Sequence, residues 1–160
     1  MEVCLAIGIV VVGFVSIIGL LPAGMDAFRS SMNTSIGAQL VQRALNEAQQ
    51  TDFYVLVGGN PPPASYEFVP LRTFDEQGNE LTAAQAASGV YQMHVVAQYG
   101  PAFPDDSGNN TIIMDELATV TVQIAVNPGG RTIAKDEKNL WKTTPGVTIQ
   151  SYPVLVAHHD

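Results

Sequence analysis

From Val3 to Leu21 the chain reads VCLAIGIVVVGFVSIIGLL, a run without a charge that is bounded by Glu2 and, on its far side, by Asp26 as the next charged residue. As a helix this stretch extends about 28 Å at roughly 1.5 Å per residue, close to the ~30 Å of a bilayer's hydrocarbon core. A cleaved signal peptide fits less well, because its apolar core is typically ~7 to 15 residues long behind a basic flank. Polarity changes after Leu21, but helical periodicity continues. Phe28, Met32, Ile36, Leu40, Val41, Ala44, Leu45 and Ala48 recur mostly three or four apart and share one face. Arg29, Ser30, Asn33, Gln39, Gln42, Arg43, Asn46, Glu47 and Gln50 occupy the other. The pattern predicts one long helix, apolar all round in its first half and amphipathic in its second. Phe28, Met32, Ile36, Leu40 and Leu45 are its expected packing residues against a domain. Gly19, Pro22 and Gly24 predict a kink or an unwound stretch between the halves, since proline lacks an amide hydrogen and glycine disfavours helix.

Beyond Thr51 the period shortens from helix to strand. Phe53 to Val57 reads as a short β-rich run, closed by Gly58-Gly59-Asn60 and three prolines. Tyr66 to Phe74 is a strand, followed by a turn over Asp75 to Glu80 with glycine where a positive φ is wanted. Val90 to Tyr99 and Ala118 to Val126 carry the alternation and β-branched content of paired antiparallel strands. Pro101 to Asn110 reads as a long polar connection, Asn127 to Gly130 as a turn, and Lys135 to Lys142 as a charged surface stretch. A last strand is expected over about Val147 to Ala157. The predicted fold class is α+β: a long N-terminal helix with a C-terminal antiparallel sheet packed on its amphipathic half. Three segments follow, 1–25 apolar, 26–52 amphipathic and 53–160 the β-sheet domain.

Charge and chemistry narrow the function. The 160-residue chain has a net charge of −8, which disfavours nucleic acid as a partner. The one cysteine, Cys4, lies in the apolar run, so no intrachain disulfide forms and it reads as a small packing residue. His94 falls in a strand without an accompanying serine or cysteine motif and reads as a face residue rather than a base. His158-His159-Asp160 reads as a frayed tail, since adjacent residues of a strand point to opposite faces and serve one ion poorly. Asp105, Asp106 and Asp115 offer oxygen ligands of the kind calcium takes, in a spacing unlike an EF-hand, with a solvated acidic loop as the plainer reading. Asn33-Thr34-Ser35 and Asn109-Asn110-Thr111 match the short glycosylation pattern. Phosphate-binding loops, dinucleotide fingerprints, zinc spacings and haem attachment motifs are lacking, so no cofactor and no enzymatic activity are expected.

Glu2-Val3 leading into an uncharged run, a proline some twenty residues on and an amphipathic continuation resemble the N-terminal helix of type IV pilins and pseudopilins. More narrowly, GLLPAGMDAFRSSMNTSIGAQLVQRALNEAQQTDF resembles the prepilin-type proteins of verrucomicrobial gene cassettes. The likeness covers roughly the first third of the chain. It implies a structural subunit held in the inner membrane, extracted by a pilus or secretion assembly machinery, and packed with copies of itself into an extracellular helical filament. Glu2, Val3, Leu5, Ile9, Phe14, Ile17, Leu20 and Leu21 would then be assembly residues. Glu2 would be neutralised by the N-terminal amine of a neighbouring subunit. That family carries a basic leader, cleaved and then methylated at the new N-terminus, and its glutamate is the fifth mature residue; here the glutamate is second. Either upstream residues are missing or the mature N-terminus is short.

A second class of function also fits: a single-pass membrane-anchored periplasmic or surface binding domain, with the helix as a tether. A tether tolerates a flexible connection, whereas a filament subunit needs one continuous rod. The uninterrupted 28, 32, 36, 40, 44 stripe favours the rod.

Overall fold

A computed structural model describes residues 2–100, 102–104, 110–113 and 116–158. The element order is α1 (Glu2–Gln50), α2 (Phe53–Leu56), β1 (Tyr66–Phe74), β2 (Tyr91–Tyr99), β3 (Ala102–Pro104), β4 (Asn110–Ile113), β5 (Leu117–Val126) and β6 (Thr148–Ala157). The fold class is α+β, as expected. The chain divides into two compact units, Met1–Ser35 and Ile36–Asp160.

In the first unit the helix continues through Gly19, Pro22 and Gly24. The expected unwound stretch is not there. Proline's fixed φ of about −65° is itself helical, and a missing N–H removes one hydrogen bond without requiring the flanking turns to open.

The second unit is built on an antiparallel sheet in the order β1-β2-β5-β6. Its register is continuous from Tyr91↔Val126 to Tyr99↔Ala118 between β2 and β5, and from Leu117↔Ala157 to Val126↔Thr148 between β5 and β6. β1 is an edge strand with two register shifts between Glu67 and Arg72, around Pro70, which an edge tolerates because one side of its backbone has no ladder to supply. Period two then sorts the side chains. Tyr91, Met93, Val95 and Ala97 of β2 and Ala118, Val120, Val122 and Ile124 of β5 join Ile36, Leu40, Val41, Ala44 and Ala48 of α1 in one buried cluster. Leu45 packs at its edge. Phe28 and Met32, expected in the same stripe, are instead exposed. Periodicity marks a face but not the position along it where the sheet begins, and the packed stripe starts at Ile36.

Two ties fix helix to strand by charge. Arg72 of β1 donates from both terminal nitrogens to the two carboxylate oxygens of Glu47, each at 2.7 Å. Arg43 donates to Glu80 at 2.7 Å. The fork geometry of guanidinium on carboxylate makes the first the stronger tie.

Three expectations are corrected in this unit. Phe53 to Val57 is not extended, because Asp52 accepts hydrogen bonds from the Tyr54 and Val55 amides at 2.9 and 3.4 Å and so caps the short helix α2. Aromatic and β-branched content suggested a strand; the cap decides the backbone. Pro101 to Asn110 is not all connection, since β3 and β4 pair as a separate two-stranded ladder with Ala102 opposite Ile113. Lys135 to Lys142 is not all surface, because Trp141 within it is buried.

Candidate functional site: an apolar helix and a strapped sheet face

The apolar run stays helical through Gly8, Gly13 and Gly19 and on past Pro22, and in the first unit its large side chains are left exposed. Among the described residues, large apolar side chains from Val3 to Phe28 are 53–71% exposed. Val3, Phe14, Leu20 and Leu21 of the expected assembly set are among them. The side chains of Glu2, Leu5, Ile9 and Ile17 lie outside the described residues. The helix is long and apolar enough to cross a membrane, with a mean hydropathy of 1.9 in its most apolar window. Its surface is not smooth. A methyl group added at Gly8, Gly13, Gly19 or Gly24 would meet nothing within 4 Å, so each glycine leaves a dent. Around the last of these lies a depression of about 450 Å³ lined by Leu20, Leu21, Gly24, Met25, Phe28 and Arg29. Here the expected helix breakers Gly19 and Gly24 have a different role: they shape the surface of an unbroken helix.

On the face of β2 opposite the main cluster, Gln92 and His94 lie against a strap formed by residues 131–147. Asn127 starts the strap, its amide donating to Gln92 at 3.0 Å and to the Arg131 carbonyl at 2.7 Å while its oxygen accepts the Arg131 N–H at 3.0 Å. Arg131 then reaches the Pro145 carbonyl at 2.8 Å, joining the strap's two ends. Asp136 accepts from the Lys138 and Leu140 amides, both at 2.8 Å, and turns the chain at Asn139, whose φ is 62°. This turn delivers Trp141 onto His94, the rings 5.1 Å apart and 26° from parallel.

His94 has no exposed surface, and neither ring nitrogen has a hydrogen-bond partner. Glu67 Oε1 stands 3.7 Å from Nε2, and the same oxygen accepts from Lys135 Nζ at 2.6 Å. Gln123, opposite His94 on β5, has its oxygen occupied by the Trp141 N–H at 2.6 Å and its nitrogen by Ser151 Oγ at 3.0 Å. Burial holds the imidazole pKa below its ordinary value and Lys135 adds to this, while Glu67 and, less strongly, Gln123 oppose it. The expected face residue is therefore a sealed one. An imidazole with no exposed atom presents no nitrogen to a substrate.

His158 is not frayed: its amide donates to the Glu116 carbonyl at 2.8 Å, and its ring lies 5.1 and 5.2 Å from those of Phe53 and Tyr54. His159 and Asp160 lie outside the described residues, as do the calcium candidates Asp105, Asp106 and Asp115 and the second glycosylation pattern's Asn109. Asn33 of the first lies within α1. Among the described residues no group of three or more histidine, cysteine or carboxylate side chains is placed to hold a metal. Glu67, Gln123, Lys135 and Trp141 went unmarked in the sequence, where only the isolated tryptophan in a charged stretch hinted at a buried anchor. No family model, no curated protein and no solved structure matches the chain.

Proposed function

We propose that the chain is a structural subunit of an extracellular type IV pilus-like filament, stored in the inner membrane and assembled through its N-terminal helix. The observation that carries this reading is where the exposed apolar surface stops. A bilayer spanned by residues 3–21 covers the uncharged run, but Met25, Phe28 and Met32 are also exposed, beyond it and interleaved with Asp26 and Arg29. Lipid alone leaves these to water. A second copy of the same helix covers them together with the run, and the dents at the glycines let backbones approach closely. Covering a large apolar side chain that lipid leaves in water contributes on the order of 1 kcal/mol or more, a gain that Met25, Phe28 and Met32 obtain from neighbouring copies and not from the bilayer. Burial persists when the helix exchanges lipid for its neighbours, which permits transfer out of the membrane.

Glu2 sets register in this reading. A carboxylate among apolar helices is costly unless it is paired, and the N-terminal amine of an adjacent copy is the partner that the pilin resemblance implies. No enzymatic role, cofactor or nucleic-acid partner enters the proposal. Glu2→Ala and Phe28→Asp are expected to reduce filament yield in negative-stain electron microscopy of sheared surface material while Trp141 emission stays that of the folded domain. Mass spectrometry of that material identifies the mature N-terminus. Normal filament abundance in both variants would favour the membrane-tethered binding domain.

A further inference from the structure

The strap over the back of the sheet rests on an imidazole that can go without hydrogen-bond partners only while it is neutral. Besides its own root at Asn127 it is held to the rest of the domain by polar and ring contacts: the Trp141 ring on His94, the Trp141 backbone N–H on Gln123, Lys135 on Glu67, and Ser65, whose hydroxyl donates to the Lys138 carbonyl at 2.9 Å and accepts from the Asn139 side-chain amide at 3.4 Å. It is also held by a small apolar cluster in which Ile133, Trp141 and Val147 pack with Ala125 and Ile149, so that Trp141 belongs to both sets. The first three polar and ring contacts converge on His94. We propose that this strap is an acid-released latch, in which protonation of His94 lifts Trp141 and frees residues 131–147 while the helix-facing core stays assembled.

An imidazolium carries two N–H donors and a charge, and a site without exposed surface must satisfy both. Each element packed around the ring falls short. β5 presents Gln123, neutral and already bonded through both ends of its amide. β6 presents Ser151, neutral and bonded to Gln123, and the apolar Ile149 beside Trp141. The strap presents Lys135, a like charge, and β1 presents Glu67, whose near oxygen already holds that lysine. Two relaxations remain. Glu67 turns to the imidazolium and releases Lys135, or water enters as Trp141 lifts. Either loosens the strap. The opposite face of the sheet is an apolar cluster without His94, so it has no reason to open with it.

The sign follows from the depressed imidazole pKa. The closed latch is fully stable above the ordinary histidine value of about 6.5 and loses stability as pH falls below that and through the lower folded-state value. Trp141 is the chain's one tryptophan, so its emission reports the strap directly. Full-length protein in detergent micelles, taken from about pH 7.5 to about pH 4.5, is expected to show one emission transition centred below about 6.5. Over the same range the Trp141 and Lys142 amides should exchange at least about tenfold faster relative to Met93 to Ala97. His94→Phe and His94→Gln should abolish the transition, and the His94 ring resonances should titrate with it. If neither variant folds, that ring titration decides alone. A transition that persists in both variants, a His94 pKa above about 6.5, or strap amides protected throughout would overturn the latch.

Discussion

Replacing Leu40 and Phe28 separately with alanine tests where the long helix turns from exposed surface into core. Both belong to one helical stripe, yet Leu40 is 3% exposed inside the main cluster and Phe28 is 65% exposed. Truncating a leucine buried in this cluster removes its transfer energy and leaves a cavity, at a cost of roughly 2–5 kcal/mol. Truncating the larger but exposed Phe28 should cost less than about 0.5 kcal/mol. Small domains hold about 5–15 kcal/mol in all, so Leu40→Ala removes a large share and lowers the midpoint of thermal unfolding by roughly 10 °C. Urea unfolding at neutral pH, followed through Trp141, measures both, with the slope unchanged if only stability moves. Equal losses in the two variants, or a loss below about 1 kcal/mol for Leu40→Ala, would refute a packed stripe that begins at Ile36.

Further perturbations probe other joints. Glu47 has its pKa lowered from 4.5, chiefly by its hydrogen bonds with Arg72; the tie is therefore present above that value and is lost as pH falls through the lower folded-state one. Glu47→Gln should cost about 1 kcal/mol at neutral pH, modest because the pair is partly solvated, and should flatten the acid limb of stability against pH in urea titrations. Gly58 has φ of +87°, and a Cβ there would run into the Tyr66 ring. Gly58→Ala should lower stability by about 1–3 kcal/mol in thermal unfolding, an unchanged midpoint meaning that the ring swings aside freely. Asp52→Ala removes the α2 cap and should cost roughly 1 kcal/mol in the urea midpoint.

The elements with strong period were legible in the sequence. β2 and β5 could be placed within a residue because alternation and β-branching agree there, and α1 because apolar residues recur every three or four. What escaped was decided by single contacts. Asp52 turns a strand-like stretch into helix through two hydrogen bonds, and Pro22 fails to interrupt α1 because its φ already suits one. Phe28 and Met32 share the stripe's period but not its burial, since period does not tell where a sheet ends. The back face was hidden more deeply. Trp141 meets His94 only after Asn127, Arg131 and Asp136 have folded the strap, long-range geometry that leaves no repeat in the chain. The exposed N-terminal run was plain in the sequence, and in the proposed filament its cover would come from neighbouring copies rather than from the chain itself.

The most direct measurement of what covers that run is photo-crosslinking from within it. A benzophenone side chain at Phe14, which is well exposed, captures whatever lies against the helix in living cells. A filament subunit gives a ladder of self-crosslinked multimers in material sheared from the cell surface. Adducts to lipid alone, confined to the membrane fraction, with no multimers in the sheared material, would contradict assembly through the helix.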